Sequence, residues 1–253
     1  MAVPPLDLPA ILLLACAGLL AGTQNALAGG GSFITFPALL LAGLNPLAAN
    51  MTSTIAMFPS QATSAIAGRK LVDDVGPLTF RQMFAISVVG GIAGAFLLRI
   101  TPPTFFAQLV PWLVLFATAM FAWGAFRKQP LHAASRMPAW GLALTQAAIA
   151  VYGGYFGGGI GFLMLAALTI AGQQIRAATA TKNMLAMAMN ASATLIFAFS
   201  NLISWPAAVA LCAGGIGGGL LGSWLIYRLP QRVMRIFVVC VGAALTVWMF
   251  LRQ

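Results

Sequence analysis

The sequence contains no glutamate, and its acidic residues are Asp7, Asp73 and Asp74. None of these aspartates, nor the single histidine His132, lies within a long apolar run. A proton relay built from carboxylate or imidazole groups inside a membrane is therefore excluded. The three cysteines lack the spacing of a metal or redox site, and no nucleophile–base pair or nucleotide-binding loop is present. We expect a protein that is not an enzyme and that holds neither a metal nor a cofactor.

Charged residues of both signs are scarce, at 6% of the chain, whereas 61% of the residues are hydrophobic. A soluble domain carries roughly 25% charged residues, so this chain lacks the polar surface to stay in water. The net charge of +10 comes from 13 basic residues that mostly separate the apolar runs. Basic residues in such positions are typical of topology anchors rather than of nucleic-acid binding. The composition predicts an all-α polytopic membrane protein whose surroundings are the lipid bilayer.

Apolar segments near the length of a bilayer span recur along the whole chain. They cover residues 8–28, 32–44, 47–67, 82–98, 105–126, 139–155, 158–172, 177–200, 206–227 and 233–251. The second and seventh segments are short, so they are either tilted spans or half-helices that dip in and turn back. We predict a first transmembrane repeat over 1–128, a basic cytoplasmic linker over 129–138 and a second transmembrane repeat over 139–253.

The two groups of five segments share landmarks in the same order. Gly29–Gly31 matches Gly157–Gly159, and "AANMTST" from Ala48 matches "AATATKN" from Ala177. If each half crosses the membrane an odd number of times, eleven basic residues lie in the cytoplasm and two outside. Parallel halves with eight spans give seven and six, which is no bias. The pattern favours two inverted halves, and the choice between eight spans and ten with short or re-entrant segments stays open.

Two glycine triplets, Gly29–Gly31 and Gly157–Gly159, interrupt the apolar runs near the predicted midplane. Such breaks free backbone N–H groups at helix N-termini, which suit an anion, as in transporters with broken helices. The alternative is close helix packing through small residues, which is our interpretation of the later glycine runs at 90–94 and 214–222. Tyr152, Tyr155 and Trp205 are expected at the membrane interfaces.

The third and eighth segments are unusually polar for membrane helices. Their polar faces indicate a substrate path, or alternatively hydrogen bonds between helices. The residues on these faces are Asn50, Thr54 and Gln61 in the third segment and Thr179, Asn183 and Asn190 in the eighth. Arg176 and Lys182, beside Thr181, form a cationic cluster that could attract an oxyanion, or else anchor the segment at the cytoplasmic surface.

The glycine break followed by "LAANMTSTIAMFPSQATSAIAGRK", and its second copy "RAATATKNMLAMAMN", resemble the sulfite exporter TauE/SafE family of bacterial membrane permeases. The resemblance covers nearly the whole chain, because that family is itself a duplicated unit. Its polar helix start corresponds to Asn50, Thr52 and Ser53 and, in the second copy, to Thr179, Thr181 and Lys182. Asn50-Met51 departs from the usual pattern of that start. The family is often described with about eight spans.

The resemblance implies a multi-pass protein of the bacterial inner membrane that moves small sulfur-containing anions, such as sulfite, organosulfonates or sulfoacetate, usually outward. A negative interior alone drives an anion out, so such an exporter needs no coupling ion. The partner is then a small anionic solute, and the chain is a monomer or a homodimer. Two other functions stay open: an importer of thiosulfate-like anions and a non-transporting membrane scaffold subunit.

Overall fold

In the computed structural model, residues 6–27, 30–126, 138–225 and 231–251 are described, and within them the chain forms ten α-helices. The helices, α1 to α10 in chain order, are Leu8–Leu27, Ser32–Leu41, Pro46–Gly68, Phe80–Ile100, Pro103–Phe126, Ala139–Tyr155, Ile160–Ile170, Ile175–Ala198, Trp205–Leu225 and Gln231–Leu251. Each predicted apolar segment corresponds to one helix, which confirms the all-α prediction. The predicted linker, 129–138, lies outside the described residues except for Pro138.

The lengths of the helices decide which of them suit a full crossing. Within the described parts of the chain, three segments are long and apolar enough to cross a membrane by length and composition: Leu8–Asn25, Phe80–Ile100 and Pro103–Gly124. By contrast, α2 has 10 residues and α7 has 11. At 1.5 Å per residue each is about 15 Å long, roughly half the hydrocarbon thickness of a bilayer. The prediction of two short segments is confirmed.

Both short helices end in the same left-handed glycine turn. Gly43 after α2 has a φ of 88°, and Gly172 after α7 has a φ of 97°. In each case the next residue donates its N–H back into the helix, from Leu44 to the carbonyl of Leu39 and from Gln173 to that of Leu168. Glycine takes this conformation without the Cβ penalty, and the paired hydrogen bonds satisfy the last carbonyls of the helix. The chain then turns directly into the long polar helices α3 and α8.

Glycine also sets the tightest helix contacts. A Cβ added to Gly22 in α1 would overlap the carbonyl of Gly215 in α9. The contacts run from Gly18 against Leu211 to Gly22 against Gly215, so these two helices are parallel. The glycine run of α4 packs against α6 in the same parallel manner. Close approach of this kind gains dispersion energy that lipid tails cannot provide, so packing is the role of both later glycine runs.

The polar helices α3 and α8 cross at the centre of the bundle and run antiparallel. Asn190 Nδ2 donates to Gln61 Oε1 at 2.6 Å. Further along α3, Gly68 lies beside Ala180, which is nearer the start of α8. Two apolar clusters surround this crossing, one built mainly from the first half and α9, the other from the second half and α4. Packing therefore places Asn50 and Asn190 inside the protein, whereas Thr179, on the polar face near the start of α8, stays exposed.

Candidate functional site

A small cavity lies where the glycine breaks approach the crossing of α3 and α8. The cavity volume is about 20 Å³, which is room for one water molecule. The lining residues are Ser32, Phe33, Phe36, Asn50, Ser53, Thr54, Met57, Gln61, Val114, Phe156, Gly157, Gly158, Asn190 and Leu245. The cavity thus joins residues from both halves of the chain.

Six residues singled out in the sequence meet at this cavity. They are Asn50, Thr54, Gln61, Gly157, Gly158 and Asn190. Asn50 is 4% exposed, and its Nδ2 donates to the carbonyl of Tyr155 at 2.9 Å. Thr54 Oγ1 donates to the carbonyl of Asn50 at 3.0 Å. The α3 face therefore lines the cavity and also holds the end of α6 in place.

In the second glycine break, carbonyl groups are held by donors. Tyr152 Oη donates to the carbonyl of Gly158 at 2.8 Å, and the carbonyl of Tyr155 accepts from Asn50. Gly157 and Gly159 have φ of 77° and 75°, which only glycine adopts freely, and Gly159 caps α7 without a side-chain hydrogen bond. The N–H groups of residues 158–161 have no acceptor among the described residues. The break therefore presents donors, the pattern that an anion requires.

The first glycine break is built differently. Gly29 lies outside the described residues. Gly30 has a φ of 87° and lies against the ring of Phe121. The N–H of Gly31 donates to Asn25 Oδ1 at 2.9 Å, so a side chain of α1 already occupies this donor. The two breaks are therefore unequal: a side chain occupies a donor of the first, whereas four successive N–H groups of the second, those of residues 158–161, have no acceptor among the described residues.

The predicted cationic cluster divides into two environments. Lys182 is partly buried, and its Nζ lies 3.5 Å from the position that a Cβ on Gly161 would take, in the first turn of α7. No described carboxylate lies within ion-pair distance of it. Arg176 is exposed, and so is Thr179, whose Oγ1 donates to the carbonyl of Ile175 at 2.8 Å. Packing thus brings Lys182, and not Arg176, to the helix end with free donors.

The remaining predicted residues lie outside the cavity lining. Thr52 and Thr181 are both 0% exposed and accept hydrogen bonds from loops. Asn183 is partly buried on α8. The expectation of interfacial tyrosines is wrong: Tyr155 is 8% exposed, and Tyr152 is half-buried against the glycine break. Their hydroxyls have partners inside the protein, the carbonyl of Gly158 for Tyr152 and Thr101 Oγ1 for Tyr155, as the hydroxyls of buried tyrosines usually do.

Sequence reasoning missed the apolar wall and part of the polar lining. Phe33, Phe36 and Phe156 line the cavity, and Phe36 and Phe156 meet edge to face with centroids 5.8 Å apart. Ser32 also lines it. Phenylalanine and serine are common in apolar helices, so the sequence carried no signal that these four residues line a cavity. Ser53, by contrast, belongs to the polar helix start named in the sequence, and its Oγ shares a hydrogen bond with Thr35 at 2.6 Å.

Comparison of the sequence with models of known protein families identifies the family of this chain. A model of the sulfite exporter TauE/SafE family matches residues 14–249, which is almost the whole chain. The chain belongs to the sulfite exporter TauE/SafE family. A TauE/SafE chain of this kind is a membrane-embedded protein, in agreement with its apolar helices.

The comparison with individual proteins agrees with this assignment. The probable membrane transporter protein ORF9 of a Sinorhizobium species is 30% identical over 235 residues, 91% of this chain and 88% of the relative. A probable membrane transporter protein of Haemophilus influenzae is 29% identical over 255 residues, 98% of this chain and 96% of the relative. The probable membrane transporter protein YfcA of Escherichia coli K12 is 28% identical over 237 residues, 90% and 85% of the two chains. This TauE/SafE chain thus matches nearly the full length of relatives that are described as probable membrane transporters.

Proposed function

We propose that this TauE/SafE protein exports small sulfur-containing anions, such as sulfite, organosulfonates or sulfoacetate, across the inner membrane under the membrane potential. One observation carries the proposal: the N–H groups at the start of α7, which have no acceptor among the described residues, lie next to Lys182, which has no carboxylate partner among them, and beside the cavity. A helix N-terminus and an ammonium group both stabilise negative charge, and both do so more strongly away from bulk water. Asn50, Gln61 and Asn190 would replace the hydration shell of the anion.

The antiparallel arrangement of α3 and α8 supports inverted repeats. In the alignment of the two polar segments, Gln61 and Asn190 occupy equivalent positions, and these two side chains bond to each other. In the two repeats, α1 corresponds to α6 and α4 corresponds to α9. The contact of α1 with α9 therefore has an equivalent contact of α6 with α4. The two halves, 1–128 and 139–253, would then rock about the central cavity to give alternating access.

The charge distribution supports export without a coupling ion. One negative charge that leaves a negative interior gains about 2.3 kcal/mol per 100 mV. No aspartate lines the cavity, so a proton or sodium site beside the anion has no carboxylate ligand. Import of a thiosulfate-like anion would run against the potential and would need such a site. Arg176, at the exposed start of α8, would attract the anion from the cytoplasm.

A scaffold function has one observation in its favour, because the cavity has room for only one water molecule. Sulfite is larger than water, so transport requires that the cavity opens. A scaffold would keep these polar faces packed together permanently. The two functions therefore differ in whether an anion passes through the purified protein.

The decisive experiment is a flux assay in proteoliposomes with an imposed potential. Sulfite, sulfoacetate, taurine and thiosulfate are loaded singly, and the efflux of each is measured at zero and at inside-negative potential. We expect efflux of at least one anion that rises with the potential and is absent from protein-free vesicles. Efflux that is the same with and without protein for all anions would contradict the proposal and favour the scaffold.

A further inference from the structure

Two loops, each following one of the polar helices, reach across to the other half of the molecule. The loop of residues 69–79, between α3 and α4, carries Val75, which is fully buried in the apolar cluster of the second half. The loop of residues 199–204, between α8 and α9, carries Ile203, which is 6% exposed in the apolar cluster of the first half. We name these the 69–79 loop and the 199–204 loop. Each of them closes against the half to which its own helix does not belong.

Each loop is also bonded to a buried threonine hydroxyl. The N–H of Asp73 donates to Thr181 Oγ1 at 3.4 Å, and the N–H of Ser204 donates to Thr52 Oγ1 at 3.2 Å. Both threonines are 0% exposed. They occupy equivalent positions in "AANMTST" and "AATATKN". The same contact is thus made twice, once in each half.

The 69–79 loop has a further attachment. Gln173 Nε2 donates to the carbonyls of Asp73 and Asp74 at 2.9 and 3.1 Å, and it lies 3.3 Å from Thr181 Oγ1. Gln173 Oε1 and Ser204 Oγ are both buried and have no hydrogen-bond partner among the described residues. An unsatisfied buried oxygen destabilises its surroundings. Each loop contact therefore contains one group that would gain a water partner if the loop moved away.

The two contacts lie on opposite sides of the central crossing. Because α3 and α8 are antiparallel, Thr52 and Thr181 are displaced from the Gln61–Asn190 pair in opposite directions along the bundle. Thr52 is adjacent to Ser53, which lines the cavity. The Gln61–Asn190 pair, which lines the cavity, therefore lies between the two loop contacts along the crossing. With both contacts formed, the cavity has room for one water molecule.

We propose that the 69–79 loop and the 199–204 loop are the two gates of the transporter, and that the hydroxyls of Thr181 and Thr52 are the latches that hold them shut. The structure is then an occluded state with both gates closed. Release of one latch opens the cavity to one face, while the other latch keeps the opposite face sealed. This inference rests on the proposed transport function, because a scaffold has no need of gates.

The test measures access to the cavity from each face without any substrate. Thr54, which lines the cavity, is replaced by cysteine in a chain whose three native cysteines are replaced by alanine. A membrane-impermeant maleimide is added to either face of oriented vesicles. Thr181→Val should increase labelling from the face of the 69–79 loop, and Thr52→Val from the opposite face. Since a buried neutral hydrogen bond is lost in each case, we expect an increase of about three- to tenfold.

Matched variants separate the latch from general loosening. Thr181→Ser and Thr52→Ser keep the hydroxyl and should restore the original labelling. Thr63→Val and Thr169→Val remove hydroxyls that bond only within their own helices and should leave labelling unchanged. If Thr181→Val fails to fold, Gln173→Met provides the same test, because it removes the other attachment of the 69–79 loop.

The results that overturn the proposal are defined by sidedness. Increased labelling from the same face in both valine variants, or no change in folded valine variants, would exclude the two loops as opposing gates. Labelling needs no anion, so an absent anion flux with opposite-sided labelling would reject the proposed substrate and keep the gates. Anion flux with unchanged labelling would keep the transporter and reject the latches.

Discussion

Replacement of Lys182 by methionine is the sharpest test of the anion site. Methionine is close to lysine in length and apolar, so the substitution removes the charge and preserves most of the packing. The Nζ atom lies 3.5 Å from the Cβ position of Gly161, in the first turn of α7. An anion bound to the N–H groups of that turn would lie about 3 Å from their nitrogen atoms. With Nζ beside the same turn, the anion would then lie about 5 Å from the ammonium group.

This distance sets the size of the expected effect. At about 5 Å, with an effective dielectric constant of about 20, the Coulomb attraction between unit charges is about 3 kcal/mol. The loss of that attraction weakens binding about a hundredfold, since about 1.4 kcal/mol corresponds to a factor of ten. The anion affinity of purified Lys182→Met is measured by isothermal titration or from the concentration dependence of flux.

Arg176→Met is the matched comparison, because it removes the same charge from the same helix at an exposed position. Exposed charges are screened by salt, so we expect an effect of a few-fold that disappears at about 1 M salt. The effect of Lys182→Met should persist there. Equal effects of the two substitutions, or an unchanged affinity in folded Lys182→Met, would refute the assignment of the anion to the α7 end.

Three further predictions address packing and the cavity. Gly91→Ala should lower the melting temperature, because its Cβ would come within 2.6 Å of a backbone carbonyl on α8, at a cost of about 1–3 kcal/mol. Gly217→Ala should leave the melting temperature unchanged, because its Cβ meets nothing within 4 Å. Equal losses in the two variants would argue against this packing. Asn190→Leu should destabilise the protein by about 1–3 kcal/mol in an unfolding assay, since it leaves Gln61 without its partner. The double variant that also carries Gln61→Met should recover part of that loss in the same assay. Tyr152→Phe removes the hydroxyl that donates to the carbonyl of Gly158 at the second glycine break. The freed carbonyl should weaken anion binding about two- to tenfold. Tighter binding would contradict a role of Tyr152 in holding that carbonyl.

The helices were predictable because their signals are local. Long apolar runs, glycine triplets and prolines identify the ten segments without reference to the rest of the molecule, and the breaks before α2 and α7 follow from the same residues. The alignment of the two polar segments also gave Gln61 and Asn190 equivalent positions in the two copies. It did not predict that the two side chains would meet, because that contact depends on how the halves pack.

The candidate site was predictable only in part. Lys182 and Arg176 are close in sequence and carry the same charge, so their neighbours alone do not distinguish them. Their environments differ because α7 covers one side of α8 and leaves its start exposed. Tyr152 shows the same limit, since a tyrosine near a glycine run is compatible with the interface as well as with the interior.

The sequence by itself indicated a membrane protein with ten apolar segments, each of which corresponds to one helix of the described residues, and it indicated that the second and seventh are short and start at glycine breaks. These properties depend on hydrophobicity and backbone freedom, which each residue carries with it. Only the tertiary structure decided that Asn25 occupies a donor of the first break, whereas the N–H groups of residues 158–161 have no acceptor within the described parts of the chain. That difference arises from side chains of neighbouring helices reaching the backbone, and hydrogen bonds of that kind exist only after the helices have packed.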